Sequence, residues 1–128
     1  MQNKSILIKN WFDKAEQALS AAQDNINLNN LETAQNRIYY GIFYAVSSLS
    51  KSKDFVTSKH QQLLGWFNRE FVKPGIIKKE TAQIYSDAFE FRQKADYTIN
   101  FIPEKDKTEE MLEEAKNFIE EIKKLLEL

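Results

Sequence analysis

Apolar residues recur at three- and four-residue steps through most of this chain, and this spacing strongly restricts the folds it can adopt. The C-terminal segment shows the pattern most clearly. Its apolar residues are Met111, Leu112, Ala115, Phe118, Ile119, Ile122, Leu125 and Leu126. They lie on one face of a helix with 3.6 residues per turn. Only 3 Gly and 2 Pro occur among 128 residues, so we expect an all-α chain that forms a single domain over residues 1–128.

The same periodicity predicts five helices and no strand. We expect them from about Ser5 to Asp24, from a cap at Asn29 to about Ser50, from Ser58 to about Phe71, from Lys79 to Tyr97 and from Thr108 to Leu126. Asn29 with Glu32, and Ser58 with Gln61, have the spacing of a capping box. Four long helices with short connections favour an up-and-down bundle, in which the third helix is a shorter cross-piece.

The composition excludes several classes of protein and site. Cysteine is absent, which removes disulfides, thiolate zinc sites and a cysteine nucleophile. There is 1 His, whereas a zinc site needs three or four ligands, so we expect neither a metal nor a cofactor. No apolar run approaches the ~20 residues that span a bilayer, and no signal-peptide pattern opens the sequence. These features predict a cytoplasmic protein without a membrane segment.

Charge is unevenly distributed, although the formal net charge is only −1. Residues 51–79 contain seven basic and two acidic residues, a net charge of +5, whereas residues 104–128 contain nine acidic and five basic residues, a net charge of −4. A basic end of the molecule could attract phosphate. An ordinary solvated surface explains the same charges, and both interpretations stay open.

The second predicted helix combines a core stripe with an unusual polar ladder. Arg37, Tyr40, Gly41, Tyr44 and Ser48 are spaced by three, four and seven residues, so they share one side of the helix. Solvent-exposed helix faces favour Lys and Glu instead. A ladder of hydrogen-bond donors, aromatic rings and a glycine suits a ligand-binding groove or an interface, and we assign these residues to such a site.

The fourth predicted helix places two charges in its apolar arc. Arg92 and Asp96 lie among Tyr85, Ala88 and Phe89 on the helical wheel. A buried charge needs a partner, and Asp96 could pair with Arg92 one turn earlier or with Arg37 across the bundle. Arg before Asp is the weaker order for a pair within one helix. We therefore expect Asp96 to pair with Arg37 across the bundle, so that Asp96→Ala costs a few kcal/mol of stability. A register-fixing ion pair without chemistry is the alternative.

These segments resemble the HEPN family of small helical domains. The resemblance rests on "RIYYGIFYA" in the second helix, "SKHQQLLGWFNREFVKPG" through the third, and "FRQKADY", which ends the fourth helix at Tyr97. With the acidic last helix it covers nearly the whole chain. It implies a four- to five-helix up-and-down bundle, often a two-fold homodimer packed around the second and fourth helices. We also assign Arg92, Asp96 and Tyr97 of the fourth helix to the candidate ligand-binding or interface residues.

Many members of the HEPN family are metal-independent endoribonucleases, often toxins paired with a nucleotidyltransferase-type antitoxin. Their signature is an Arg followed, after four to six residues, by a His. Arg37 matches the Arg, but after six residues the position of the His is occupied by Tyr44. Histidine transfers protons near neutrality, whereas only about one tyrosine in a thousand is deprotonated at pH 7. Tyr44 and Arg37 could still bind a phosphate.

His60 is the only residue that could replace the missing histidine. Its expected place in the first turn of the third helix would lower its pKa and favour a nearby anion. A histidine that simply packs near the helix start is the alternative. In the same helix Trp66, Phe67 and Phe71 are expected in the core, although a base-stacking platform stays open.

Three hypotheses follow for the function. The first is a catalytically impaired HEPN-like dimer that binds a nucleotidyltransferase-type partner, a nucleotide or RNA phosphate through an Arg37/Tyr44 groove. The second is an active metal-independent endoribonuclease in which Arg37 acts with Tyr44 or His60. The third is a purely structural helical dimer. Tyr44 favours the first hypothesis over the second, and the polar ladder of the second helix disfavours the third.

Overall fold

A computed structural model describes residues 3–128, which fold into an up-and-down helical bundle. The helices are α1 (Lys4–Asn27), α2 (Leu31–Ser52), α3 (His60–Phe67), α4 (Lys79–Tyr97) and α5 (Lys105–Leu126). A π-helical segment, Asn68–Val72, continues α3. Over residues 3–128 there is no strand. The predicted all-α architecture, with four long helices and a shorter cross helix, is confirmed.

Helix α2 occupies the centre of the bundle and packs against α1, α3, α4 and α5. Its approach to α1 is especially close at Gly41, which faces the Leu19 side chain and the Ala15 carbonyl. Further along the same contact, the buried Ser48 hydroxyl donates a hydrogen bond to the Ile8 carbonyl at 2.7 Å. Gly41 and Ser48 therefore join α2 to α1. Their expected place in an open groove is wrong, because α1 covers that part of the ladder.

The start of α2 differs from the predicted capping box. Asn29 adopts a left-handed conformation with φ 61°, and Asn30 is the residue that precedes the helix. The Asn29 amide donates to the Ile26 carbonyl at 2.9 Å and the Asn30 amide donates to the Asn25 carbonyl at 2.8 Å. This pattern closes the C-terminus of α1. The Asn29–Glu32 capping box is wrong because Asn29 is already used to end the preceding helix.

The predicted Ser58–Gln61 capping box is also wrong. Helix α3 begins two residues later, at His60, and no side chain caps it. Instead, the hydroxyl of Thr57 accepts a hydrogen bond from the Lys59 amide at 3.1 Å and donates one to the Gln62 side chain at 2.7 Å. Thr57 therefore orders the loop before α3, a role that the sequence spacing had predicted for Ser58.

The aromatic residues of α3 and its π-helical extension belong to the core. Trp66, Phe67 and Phe71 are all buried. Trp66 stacks on Phe55 with ring centroids 5.2 Å apart, and Phe67 contacts Tyr85 at 5.6 Å. The expectation that these rings form core is confirmed, and the base-stacking alternative is wrong because their faces are covered by other aromatic rings.

None of the helices described between residues 3 and 128 combines the length and apolar character needed to span a lipid bilayer.

Candidate functional site

Two guanidinium groups from different helices lie against one tyrosine ring. The Cζ atom of Arg37 lies 5.1 Å from the centre of the Tyr40 ring, and that of Arg92 lies 5.6 Å from it. Arg37 and Tyr40 are one turn apart on α2, whereas Arg92 reaches the ring from α4. An aromatic face attracts such cations. Tyr40 thereby holds two positive charges close together at the α2–α4 boundary.

Arg37 has no charged partner within residues 3–128. Its Nε and Nη2 atoms donate to the Oδ1 atom of neighbouring Asn36 at 3.2 and 2.9 Å. This amide orients the guanidinium without neutralising it. The group keeps its full positive charge and further N–H donors for an anion.

The expected pairing of Asp96 with Arg37 is wrong. Asp96 instead lies 3.7 Å from Nε of Arg92, one turn earlier on α4, and its side chain is 51% exposed. Water solvates this carboxylate near the end of α4, so Asp96 needs no partner from α2.

His60 is packed into the same cluster. Its ring stacks on Phe43 with centroids 4.1 Å apart, and its Nδ1 atom lies 2.7 Å from the hydroxyl of the buried Tyr39. Nη1 of Arg92 approaches the same nitrogen at 3.5 Å. Because arginine can only donate, we assign the lone pair to Nδ1 and the proton to Nε2. With this tautomer the Tyr39 O–H donates to Nδ1 of His60.

Burial determines the protonation of both partners. Desolvation, followed by the positive charge of Arg92, lowers the pKa of His60 below its ordinary value of 6.5. Desolvation also raises the pKa of Tyr39 far above its ordinary value of 10.0, although Arg92 opposes the rise. At pH 7 the imidazole is neutral and the phenol is protonated. The expected lowering of the His60 pKa is thus present, with burial as its main cause.

The neutral His60 is poorly suited to act as a base. Abstracting the proton of a 2′-hydroxyl requires a free lone pair within hydrogen-bond reach, but the lone pair on Nδ1 already accepts from Tyr39. The remaining nitrogen offers an N–H donor. In this arrangement the imidazole can hydrogen-bond an anion, and it would have to break its bond with Tyr39 before removing a proton.

Tyr44 lies one turn beyond Tyr40 and is half-buried. Its ring centre is 5.7 Å from that of Tyr40 and 5.9 Å from that of Trp11 on α1. The ammonium of Lys14 lies 4.7 Å from the Tyr44 ring centre. Tyr44 therefore connects the cluster around Tyr40 to a second group of aromatic and basic residues.

We call the continuous surface formed by these residues the basic-aromatic strip. It comprises the rings of Tyr40, Tyr44 and Trp11 and the cations of Arg92, Arg37, Lys14 and Lys51. Three of its members, Trp11, Lys14 and Lys51, were missed as site residues by sequence reasoning. Trp11 fits the apolar stripe of α1, but in the folded protein it is only half-buried. The Trp11–Lys14 spacing of three residues was the available signal.

Tyr97 does not belong to this cluster. It is the last residue of α4, its side chain is 85% exposed, and it makes no aromatic or cation–π contact within residues 3–128. Tyr97 is therefore better placed for an interface than for the phosphate-binding candidates.

A cavity of about 220 Å³ lies between α2, α4 and α5, and none of the strip residues lines it. Its floor is apolar, and its rim bears three carboxylates, Asp87, Glu90 and Glu114, against two lysines, Lys94 and Lys107. The excess of negative charge makes this cavity a poor site for phosphate.

Metal-ligating side chains do not cluster in the part of the chain that the structure describes, where no group of three or more His, Asp or Glu could hold an ion.

Comparison with known proteins places this geometry in a family. The model of the HEPN domain matches residues 8–125 of the chain. A UPF0332 protein of Thermotoga maritima is 37% identical over 127 residues, covering 99% of this chain and 96% of the relative. Two proteins of Methanocaldococcus jannaschii, each named "Putative toxin", are 31% and 33% identical over 119 residues. Each alignment covers 93% of this chain, with 81% and 88% of the respective relatives.

The match over residues 8–125 spans every helix that positions Tyr40, Arg37, Arg92 and His60. The helical bundle and the length of the matched segment agree with the resemblance seen in the sequence. This chain belongs to the HEPN domain family.

Proposed function

We propose that the protein is a dimeric HEPN module that binds the phosphate of a nucleotide or RNA through Arg37, Arg92 and Tyr44, with little or no ribonuclease activity. The observation that best supports this proposal is the pair of guanidinium groups on Tyr40. Two cations held on one ring repel each other, and a phosphate between them would relieve that repulsion while accepting charge-assisted hydrogen bonds.

Weak catalysis is supported by the chemistry of the three candidate catalytic residues. Tyr44 is a phenol where the family signature has an imidazole, and a phenol is a poor base at neutral pH. His60 is neutral and its Nδ1 lone pair accepts from Tyr39. Arg37 supplies positive charge but cannot transfer a proton. The site therefore has the groups that bind an anion and lacks an available base.

The partner protein is inferred from the family. The sequence resemblance implies a nucleotidyltransferase-type antitoxin, and two relatives are named as toxins. We propose that such a partner covers the basic-aromatic strip when the two proteins associate. Charge-reversing substitution of Arg37 is expected to weaken that association as well as phosphate binding.

Isothermal titration of the purified protein with uridine 5′-monophosphate tests the binding proposal. Arg37→Ala and Arg92→Ala are each expected to weaken binding at least about tenfold, because each removes a charge-assisted contact. Arg69→Ala is the matched control, since Arg69 is exposed and pairs with its neighbour Glu70 at 3.4 Å. Equal affinities for the control and the two site variants would refute the proposal.

An active endoribonuclease is the second candidate. It is favoured by the presence of His60, Arg92 and Tyr39 in one hydrogen-bonded group and by the names of two relatives. Incubation of RNA with purified protein in the presence of EDTA separates the two functions. We expect little cleavage. Cleavage that disappears in both Arg37→Ala and His60→Gln, with Arg69→Ala still active, would replace the first proposal with the second.

A further inference from the structure

The basic-aromatic strip extends well beyond the two arginines. Its three rings follow one another from α2 onto α1, with 5.7 Å between the centres of Tyr40 and Tyr44 and 5.9 Å between those of Tyr44 and Trp11. Tyr40, Tyr44 and Trp11 are all only half-buried. A row of partly exposed rings differs from the core rings of the bundle, because solvent or a ligand can reach one side of each.

Two lysines gather at the Trp11 end of the row. The ammonium of Lys14 lies 4.8 Å from the Trp11 ring centre and that of Lys51 lies 4.3 Å from it. Neither lysine forms an ion pair within residues 3–128. Desolvation lowers the pKa of Lys51. Two like charges converge on the Trp11 ring, as two guanidinium groups do on the Tyr40 ring.

The strip therefore holds four cations, Arg92, Arg37, Lys14 and Lys51. Two carboxylates lie at its Arg92 end, where Asp96 pairs with Arg92 and Glu32 lines a small pocket with both residues. This charge suits a ligand with several negative groups in a row. Aromatic rings alternating with cations suit a ligand that also exposes flat faces. A single-stranded oligonucleotide has both features, whereas a mononucleotide reaches only one end of the strip and a duplex hides the faces of its bases.

We propose that Trp11, Lys14, Tyr44 and Lys51 form a second subsite, which takes an unpaired base and its phosphate next to the Arg37/Arg92 site. The ligand is then a single-stranded oligonucleotide rather than a free nucleotide. Lysine has a flexible four-carbon stem, so each ammonium can turn from the ring to a phosphate while a base stacks in its place. This inference rests on the proposed function, since it extends the same phosphate site.

Fluorescence anisotropy with labelled ten-residue oligouridine tests the subsite, with uridine 5′-monophosphate as the short probe. The double variant Lys14→Ala/Lys51→Ala is expected to bind oligouridine at least about tenfold more weakly and the mononucleotide as wild type does. The slope of log affinity against log salt should fall by about 1.4, because single strands contribute ~0.7 per phosphate contact. Wild type should also prefer the single strand to a duplex of the same length.

The matched control is Lys105→Ala/Lys124→Ala, which removes two exposed lysines of α5 and changes net charge equally. Trp11 gives a second readout, because it is more exposed than the buried Trp66. Oligouridine is expected to quench tryptophan fluorescence in wild-type protein.

Three outcomes would overturn the subsite. The Lys14/Lys51 variant could bind oligouridine as tightly as the control variant does. Wild-type protein could bind oligouridine no more tightly than the mononucleotide, or bind a duplex as tightly as the single strand. In these cases the Arg37-dependent binding of the mononucleotide would still stand, so the proposed function survives. Wild-type protein that binds neither probe would refute both proposals.

Discussion

At the scale of single residues, Gly41 shows how closely α1 and α2 approach. A Cβ at this position would overlap the end of the Leu19 side chain and lie 3.4 Å from the Ala15 carbonyl oxygen. Overpacking of this kind typically costs about 1–3 kcal/mol, while alanine regains about 1 kcal/mol of helix propensity. Gly41→Ala is therefore expected to lower the free energy of unfolding by about 1 kcal/mol in urea denaturation.

Gly65 provides the matched control for Gly41. It also lies inside a helix, α3, but an added Cβ would meet no atom within 4 Å. Gly65→Ala is expected to stabilise the protein by about 0.5–1 kcal/mol, since only the helix propensity changes. If both substitutions stabilise the protein, Leu19 moves away easily and the contact at Gly41 does not require glycine.

Asp96 is a second position where the structure reverses an expectation. The helical wheel places this carboxylate in the apolar arc of α4, which predicts that Asp96→Ala lowers the free energy of unfolding by a few kcal/mol. The observed 3.7 Å pair with Arg92 is half-exposed, and pairs of this kind contribute about 0.5 kcal/mol or less. We expect the thermal midpoint of Asp96→Ala to stay within about 2 °C of wild type. A loss above 2 kcal/mol would show that Asp96 has a buried partner in the assembled protein.

At the scale of helices, α3 is docked onto α2 through a titratable contact. His60, the first residue of α3, bonds to Tyr39 and stacks on Phe43, both on α2. Arg92 of α4 is the charged group that faces it. The pKa of His60 is lowered in the folded state, so the unfolded chain binds its proton first as the pH falls. Stability is then complete above the unfolded pKa of 6.5 and decreases below it.

This linkage predicts a fall in the thermal midpoint between about pH 7 and about pH 5. His60→Gln is expected to make the profile flatter over that range, because the proton-linked difference between folded and unfolded states disappears. Differential scanning calorimetry at several pH values measures both profiles. Parallel profiles for wild type and variant would mean that His60 titrates alike in the folded and unfolded chains.

At the scale of the whole molecule, the exposed apolar residues favour a homodimer. Tyr97 ends α4, and Ile99 and Ile102 follow it in the connection to α5; the three residues are 85%, 99% and 82% exposed. Members of this family commonly dimerise, and exposed apolar patches mark interaction surfaces. We propose that this end of α4 belongs to the dimer contact, beside the α2–α4 boundary where Arg37 and Arg92 lie.

Light scattering at micromolar concentration is expected to give twice the chain mass of 15.0 kDa. Ile99→Lys/Ile102→Lys should shift the protein towards monomer, because each lysine would bury a charge in an apolar contact. Leu28→Lys/Val56→Lys is the control, since both residues are comparably exposed but lie in other loops. A monomeric wild type would exclude the dimer at this concentration.

Local patterns predicted much of the architecture. The three- and four-residue spacing in α5, with Met111, Phe118 and Ile122 buried as expected, depends on helical geometry alone. The burial of Trp66 and Phe67 was likewise predicted from the spacing of apolar residues in the sequence. The helix boundaries were less predictable, because Asn29 could serve either the end of α1 or the start of α2, and a sequence does not say which hydrogen bonds form.

The sequence by itself determined that this chain is helical, which faces are apolar, and that Tyr44 stands where the family signature has histidine. Only the tertiary structure decided which polar side chains meet. It brought His60 to Tyr39, Arg92 to Tyr40, and Lys14 with Lys51 to Trp11, and it left Asp96 at the surface. The physical reason is that periodicity fixes a residue's direction around its own helix, whereas its neighbours depend on the crossing angles and distances between helices.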